Sequence, residues 1–280
     1  MAARATSARA AAERERVPAV GIVLADKPVG PSSFAVTRAI GQRFAAKAGH
    51  AGTLDPLACG LLLVLVGRAT RLAQYLVGLD KGYTVEIRLG VRTTTGDTEG
   101  DLLEEAAISG VEESVRALVG EVELPIPAAS AVKIGGKRAY RLHRRGIAQE
   151  MPTRRSTIRE ATILAYSGSS LCLDLSVSSG AYVRAIADHL GGHCTSLRRT
   201  RVGPFSADHA DENGLLPPSA ALPFLPVIAV DEDGARRFIS GRPVAGEGEG
   251  HARVLAGGQL LGVARLERGQ AHPETVIAVP

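Results

Sequence analysis

The chain has 280 residues, of which 45% are hydrophobic and 22% are charged, and it carries a net charge of +4. This hydrophobic content excludes an intrinsically disordered protein, and no apolar run approaches the roughly 18 residues that a membrane-spanning helix needs. The three cysteines form no CxxC pair and cannot all be paired in disulfides, so the composition favours a soluble protein of a reducing cytoplasm without a zinc site.

The first third of the chain predicts alternating strands and helices. Residues 1–18 are rich in Ala and Arg but lack the apolar stretch of a secretory signal, which indicates a flexible tail or, alternatively, a basic arm. Apolar periodicity and turn residues then predict a strand over 21–25, a proline-rich loop over 26–31, a helix over 33–46, a strand over 61–66, a helix over 69–77 and a strand over 83–89.

The middle of the chain continues this mixture. Helices are predicted over 111–119 and 182–190, and strands over 158–165 and 171–178. Helices and hairpin-like strands alternate irregularly, and no GxGxxG motif follows the first strand. We therefore predict an α+β fold with a mostly antiparallel sheet rather than a doubly wound parallel one.

The C-terminal part differs in its composition. Residues 215–226 are rich in Pro, Leu and Ala, which indicates a domain boundary. Short β-prone runs over 252–255, 260–266 and 275–279 follow, separated by glycines as in a small β-barrel. We expect three parts: a tail (1–18), a catalytic domain (19–225) and a small β domain (226–280).

The most informative stretch is GHAGTLDPLACG, residues 49–60. Its glycines permit close approach of the backbone to a ligand, and Pro56 keeps Asp55 out of the helical region, so the carboxylate is displayed at a stiff corner. Asp before Pro is also a common helix cap, and these two residues alone would favour capping. His50 alone would be read as an ordinary loop histidine with its hydrogen bonds satisfied.

The full stretch resembles the motif GHxGTLDPxAxG of the TruB family of pseudouridine synthases, and every fixed position is matched. Further similar motifs follow in order: KPVGPSS (27–33), with Ser for the family's Thr, DKGY (80–83), SAVKIGGKRAYRL (130–142), SGAYVR (179–184) and LRRT (197–200). One departure is a shorter segment between Arg184 and Leu197, which predicts that the helix after Arg184 ends early.

The resemblance implies a fold, a reaction and a set of residues. The fold would be that of pseudouridine synthases with a C-terminal PUA-like domain, and the reaction would isomerise the T-loop uridine of tRNA (position 55). Asp55 would be the catalytic carboxylate, with Tyr83 and Arg184 as the other catalytic residues. Substrate contacts are expected from these residues: Lys27, His50, Lys133, Arg138, Arg141, Tyr182 and Leu197.

Chemical reasoning supports these roles. Burial favours the neutral form of a carboxylate unless a fixed cation offsets the desolvation, and Arg184 is the candidate cation for Asp55. Tyr83 would contact the flipped base and exchange a proton at C5, Leu197 would close the apolar wall, and Tyr182 would support Asp55 or Arg184. The resemblance, rather than this reasoning, implies that His50 would hold the RNA loop open once the base has left it.

The expected partner is the T-arm of tRNA, and no cofactor, metal, membrane or obligate protein partner is expected, so the protein would act as a monomer. Residues 133–159 hold nine Lys or Arg against one acid, Glu150, which fits a phosphate backbone although such runs are often only solvated surface. His189 and His193 have the spacing of a zinc pair on one helix, but Gly191 and Gly192 argue against that helix.

Three alternatives remain open at this point. A non-catalytic RNA-binding module would use the basic segment and leave Asp55 as a cap. A nucleoside hydrolase would use the same carboxylate and release free uracil, although it usually needs a second carboxylate or a metal. A relative acting on another uridine, or within a guide-RNA complex, would use the same Asp55, Tyr83 and Arg184.

Overall fold

The computed structural model describes residues 19–105, 108–147 and 149–278, so the predicted tail lies outside the described residues. The strands of the larger part are β1 (Gly21–Lys27), β2 (Ala48–His50), β3 (Ala58–Val66), β4 (Lys81–Leu89), β5 (Val91–Thr93), β6 (Leu102–Glu105), β7 (Gly120–Pro125), β8 (Lys133–Ile134), β9 (Lys137–Arg138), β10 (Thr153–Ser167), β11 (Ser170–Val177), β12 (Gly192–Val202), β13 (Phe205–Ser206) and β14 (Asp211–Leu216). Its helices are α1 (Ser33–Arg43), α2 (Ala73–Val77), α3 (Val111–Ala117), α4 (Ala139–His143) and α5 (Val183–His189).

Ten strands form one central sheet. Their order is β14-β1-β3-β12-β4-β11-β10-β7, with β2 beside β3 and β13 beside β12. The pair β3–β12 is parallel and the other pairs of this sheet are antiparallel. The predicted α+β class with a mostly antiparallel sheet is confirmed.

The two central strands show why the sequence folds this way. β3 is apolar over Leu61–Val66 and every one of these residues is buried, because both faces of the sheet are covered there. In β4 the alternating set Tyr83, Val85, Ile87 and Leu89 is buried, as the period-two pattern predicts. The strand β3 begins at Ala58, three residues after Asp55.

The predicted helices are observed except in one place, whereas the helices Ala139–His143 and Glu232–Ile239 were not predicted. The Ser32 hydroxyl caps α1 by accepting from the Ala35 amide at 3.2 Å, and α5 ends at His189, as the short segment before Leu197 predicts. The helix predicted over 69–77 is instead a 3-10 turn (Gly67–Leu72) followed by α2. The Thr70 hydroxyl donates to the Gly67 carbonyl at 2.8 Å, which favours the tighter first turn.

The C-terminal part forms a second, five-stranded sheet. Its strands are β15 (Val227–Ala229), β16 (Val244–Ala245), β17 (Gly250–Ala256), β18 (Gln259–Glu267) and β19 (Gln270–Val276), in the order β15-β17-β18-β19-β16 with α6 (Glu232–Ile239) against them. The strand predicted over 275–279 is wrong in position. Arg268 and Gly269 both adopt positive φ, so a tight turn starts β19 directly opposite β18 and brings the polar residues before Thr275 into the strand.

The second sheet packs on the first domain. Leu260, Val263 and Ile277 share an apolar core with residues of β1 and β3, and the Tyr75 hydroxyl lies 2.9 Å from that of Thr275. Leu222, in the predicted boundary, is fully buried in this core. In the part of the chain that the structure describes, no helix is long and apolar enough to cross a bilayer.

Candidate active site

A cleft of about 300 Å³ opens where β4 and β12 meet the loop between β2 and β3. Five of the ten site residues predicted from the sequence line it: Asp55, Tyr83, Tyr182, Arg184 and Leu197. They come from the β2–β3 loop, β4, β12 and the start of α5. The fold thus brings together Asp55 and Arg184, which are 129 positions apart in the chain.

Asp55 and Arg184 form an ion pair at the base of this cleft. The Nε and Nη2 atoms of Arg184 each lie 2.9 Å from Oδ2 of Asp55. The side chain of Asp55 is 34% exposed, whereas that of Arg184 is 2% exposed. The carboxylate therefore faces the cleft while the guanidinium that neutralises it is part of the protein interior.

The remaining donors of Arg184 are fixed by buried acceptors. Nη1 donates to the Thr95 carbonyl at 2.8 Å and to Oδ2 of Asp97 at 3.1 Å, and Nη2 donates to the Ala129 carbonyl at 3.0 Å. Asp97 is itself held by the Thr95 hydroxyl at 2.5 Å and by the Glu99 amide at 3.0 Å. These acceptors fix the guanidinium in one orientation, because its planar group can bond all of them only in that orientation.

The loop that carries Asp55 is held by side chains from three other elements. The Ser33 hydroxyl bonds both the amide and the carbonyl of Leu54 at 2.8 Å. The Lys27 ammonium donates to the carbonyls of Pro56 and Ala58 at 3.3 and 2.6 Å, and Nη2 of Arg199 donates to the Gly52 carbonyl at 3.1 Å. The backbone on both sides of Asp55 is therefore fixed without any regular secondary structure.

The structure excludes the helix-cap alternative for Asp55. Residues 56–57 form a turn, and β3 begins at Ala58. The Ala58 amide bonds the carbonyl of Asp55 at 3.1 Å, not its side chain. Since no helix begins here, the carboxylate has no capping role.

The other predicted residues of the cleft form its apolar and aromatic walls. Tyr83 in β4 and Leu197 in β12 are 8% and 6% exposed. Tyr182 immediately precedes α5 and is half-buried. Among the described residues, the Tyr182 side chain makes no hydrogen bond to Asp55 or Arg184, so the support expected from it is not seen.

Lys27 requires a correction. The sequence predicted a substrate contact, but the residue is completely buried and its ammonium donates to three backbone carbonyls, those of Pro28, Pro56 and Ala58. Burial lowers the pKa of Lys27, although the nearby Cys59 and Asp55 act in the opposite direction. Its observed contacts stabilise the loop rather than face a ligand.

His50 and the basic predicted residues lie outside the cleft lining. His50 ends β2, and burial followed by the charge of Arg199 lowers its pKa, which favours the neutral ring. Its Nδ1 atom is buried without a partner among the described residues. Lys133 and Arg138 lie exposed on the β8–β9 hairpin, and Arg141 lies exposed on α4.

The sequence missed several residues of the site. Asp97 lies in the run TTTGDT (93–98), which indicates only a turn, 42 positions after Asp55 and outside its motif. Lys81, Arg154 and Arg199 also line the cleft, as does Ser130, whose buried hydroxyl has no partner among the described residues. His189 ends α5 whereas His193 lies in β12, so the two histidines do not share a helix.

Lys81 combines burial with a position in the cleft wall. Its ammonium donates to the carbonyls of Val77 and Leu79 at 2.6 and 2.5 Å and to the Ser179 hydroxyl at 3.3 Å. Burial, together with the charge of Arg199, lowers the pKa of Lys81 to about 8, and the nearby Asp80 opposes this shift. A group with this pKa changes its charge near neutral pH.

Comparison with known sequences finds a family similar to this chain. Residues 38–183 match a family described as "TruB family pseudouridylate synthase (N terminal domain)". The chain is 41% identical to the tRNA pseudouridine synthase B of Burkholderia mallei, with 92% of this chain and 96% of that protein aligned. It is 38% identical to the protein of the same name in Aromatoleum aromaticum, with 92% of each chain aligned.

Solved structures share the fold. A structure titled as a Cbf5-Nop10-Gar1 complex matches with a TM-score of 0.69 and 23% identity over 92% of this chain and 85% of that one. A structure titled as an H/ACA RNP bound to a substrate RNA containing 2′-deoxyuridine matches with a TM-score of 0.69 and 21% identity, over the same shares of the two chains.

Proposed function

The chain belongs to the TruB family of pseudouridylate synthases and is an isomerase, and from this premise we propose that it converts the T-loop uridine of tRNA, at tRNA position 55, to pseudouridine. The observation that carries the proposal is the ion pair of Asp55 with the buried Arg184 at the base of a cleft. It presents a fixed carboxylate to the cleft, beside apolar and aromatic walls.

The chemistry needs such a carboxylate. Pseudouridine formation detaches uracil from C1′ of the ribose, turns it, and reattaches it through C5, with no net redox change and no group taken from outside. No cofactor is required for these steps. Asp55 can attack C1′, attack the uracil ring or remove a proton from the ribose, and all three routes need its ionised form. Arg184 offsets the cost of holding that charge beside a bound base.

The substrate base must leave the folded T-loop to reach Asp55. Flipping a nucleotide costs a few kcal/mol, which stacking and phosphate contacts must offset. Tyr83 and Leu197 provide a flat ring and an apolar surface on the paired neighbouring strands β4 and β12, and we assign them to contacts with the uracil ring. We propose that His50 fills the place in the RNA loop that the base leaves, and that Tyr83 exchanges a proton at C5.

Exposed cations of the basic segment, residues 133–159, would bind the RNA. Lys133, Arg138 and Arg141 lie on a hairpin and a short helix that project from the sheet between β7 and β10. Neutralising phosphates in this way makes binding weaken with salt. We keep the expectation that the protein acts as a monomer on tRNA alone.

A nucleoside hydrolase usually needs a second carboxylate or a metal at the substrate, and Asp97, which also contacts Arg184, is the acid to consider. Its side chain is 4% exposed and lies on the Arg184 guanidinium, outside the residues that line the cleft. It cannot reach a bound nucleoside without displacing Arg184. The arrangement supports isomerisation through one carboxylate rather than hydrolysis through two.

The proposal is tested with unmodified tRNA and the purified protein. Pseudouridine is expected at the T-loop uridine and nowhere else, and a transcript with cytidine at that position should give none. Mapping tRNA from cells that lack the protein should show loss at the same uridine. Free uracil among the products would instead support a hydrolase, and RNA binding without either product would support a non-catalytic module.

Lys81 gives a pH-dependent prediction. Because its pKa is about 8, its ammonium is charged at pH 7 and mostly neutral at pH 9, so the cleft loses one positive charge over this range. We expect the KM for tRNA to rise about three- to tenfold between these values. Lys81→Arg keeps its charge throughout and should flatten this rise. An equal rise in KM for both proteins would contradict the assignment to Lys81.

A further inference from the structure

Arg154 stands at the mouth of the cleft in an unusual position. It is the second residue of β10, is exposed, and lines the cleft with its side chain against Gly180. Gly180 has a φ of +86°, and a Cβ at this position would overlap the guanidinium of Arg154. Gly180, which lies four residues before Arg184, has no side chain, and the Arg154 side chain occupies the space that this leaves.

The donors of Arg154 are unused. Within the ranges that the structure describes, its side chain makes no ion pair and no hydrogen bond. Asp80 is paired with Arg159 at 2.5 Å, and Glu123 on the adjacent strand β7 accepts from the Thr153 hydroxyl at 2.5 Å. A guanidinium that is held in place against a glycine and has no acceptor in the protein can donate its hydrogen bonds to an anionic ligand.

The charge of the cleft fits an anion. Four cations line it, namely Lys81, Arg154, Arg184 and Arg199, against one acid, Asp55. Three of the four are committed: Arg184 to Asp55 and Asp97, Lys81 to the Val77 and Leu79 carbonyls, and Arg199 to the Leu61 and Gly52 carbonyls. Arg154 is the lining cation whose donors remain for a ligand.

We propose that Arg154 binds a backbone phosphodiester that flanks the target uridine and thereby holds the nucleotide in its flipped position. The proposal rests on the proposed function, because it needs a base in the cleft. A nucleotide that turns about its backbone to place the base against Asp55 leaves its own phosphates at the cleft mouth. A guanidinium fork matches two oxygens of a phosphate, which a lysine cannot do.

The neighbouring Arg155 provides a matched comparison. It has the same charge and is also exposed, but side chains alternate along a strand, so it points to the other face of β10 and does not line the cleft. Arg154→Ala is expected to lower kcat/KM about ten- to a hundredfold, as loss of a charged hydrogen bond predicts. Arg155→Ala, which removes only general attraction, should lower it no more than about threefold, and Arg154→Lys should be intermediate.

The phosphate itself is tested with a T-arm RNA in which one flanking phosphodiester is a neutral methylphosphonate, on the 5′ or the 3′ side of the uridine. For one of these two RNAs, kcat/KM of wild type and of Arg155→Ala should be about tenfold or more lower than for the unmodified RNA. For the same RNA, kcat/KM of Arg154→Ala should be nearly unchanged. If the methylphosphonate lowers kcat/KM of Arg154→Ala by the same factor as that of wild type, the inference is wrong. The proposed function would still stand, because wild type would still form pseudouridine in the unmodified RNA. A wild type that forms no pseudouridine in the unmodified RNA would overturn both.

Discussion

Replacing Asp55 by Asn is expected to reduce pseudouridine formation by roughly four orders of magnitude or more, because the variant has no group that can act as nucleophile or base. The amide has nearly the shape of the carboxylate and can still accept from Arg184 through its oxygen. The measurement is tritium release from tRNA labelled at uridine C5, under single-turnover conditions with enzyme in excess. Binding of the RNA should change by less than about tenfold, since the phosphate contacts remain.

Asp26→Asn is the matched control for this change. Asp26 also pairs with an arginine, Arg198, at 2.8 Å, but the two side chains are 41% and 40% exposed and lie outside the cleft lining. An exposed pair of this kind contributes at most about 1 kcal/mol to stability. Tritium release should therefore stay near the wild-type level. Equal release from wild type and Asp55→Asn would contradict aspartate catalysis and favour another group in the cleft.

The sequence predicted five of the ten strands of the central sheet (β1, β3, β4, β10 and β11) but missed β12, which carries Leu197. Apolar runs and alternation are local properties, so β3 and β4 could be recognised without knowledge of their neighbours. Asp55, Tyr83 and Arg184 could be assigned to one site because the ordered motifs resemble those of a family whose members bring these residues together. The spacing of the residues alone does not predict this. The prediction for β19 was displaced because Gln270, His272 and Glu274 are polar and Pro273 interrupts the pattern of a strand, and the turn at Arg268 is visible only in the backbone.

The supporting residues could not be predicted in the same way. Lys27 reads as an exposed cation, and its burial depends on carbonyls 29 and 31 residues away. Asp97 reads as a turn residue, and its importance depends on the position of Arg184, 87 residues later. Arg154 has no motif, and Gly180 explains its position only once β10 and the segment before α5 are adjacent. Such contacts are properties of the fold rather than of any local pattern.

Asp97 shows why the ion pair at the cleft consists of more than two residues. Arg184 contacts one carboxylate that faces the cleft and one that is buried, at 2.9 and 3.1 Å. Removing one partner of a buried pair leaves an uncompensated charge in the interior, which costs about 3–5 kcal/mol. The stability of this region and the position of the Asp55 carboxylate therefore both depend on Arg184.

Arg184→Lys is the second variant with a large expected effect. The ammonium keeps the charge but has no planar fork, so it cannot reach Asp55, Asp97 and the carbonyls of Thr95 and Ala129 together. We expect kcat to fall about a hundred- to a thousandfold with a smaller change in KM, and the free energy of unfolding to fall by about 3 kcal/mol. Single-turnover rates and urea unfolding measure the two quantities separately.

Asp97→Asn separates the two roles of Arg184. It leaves the contact with Asp55 intact and removes only the buried carboxylate behind the guanidinium, so stability should fall much as in Arg184→Lys while kcat falls less, by about ten- to a hundredfold. Because the residues act as one unit, combining Asp97→Asn with Arg184→Lys should cost less activity than the product of the two single losses. A strictly multiplicative loss would mean that Asp97 does not act through Arg184.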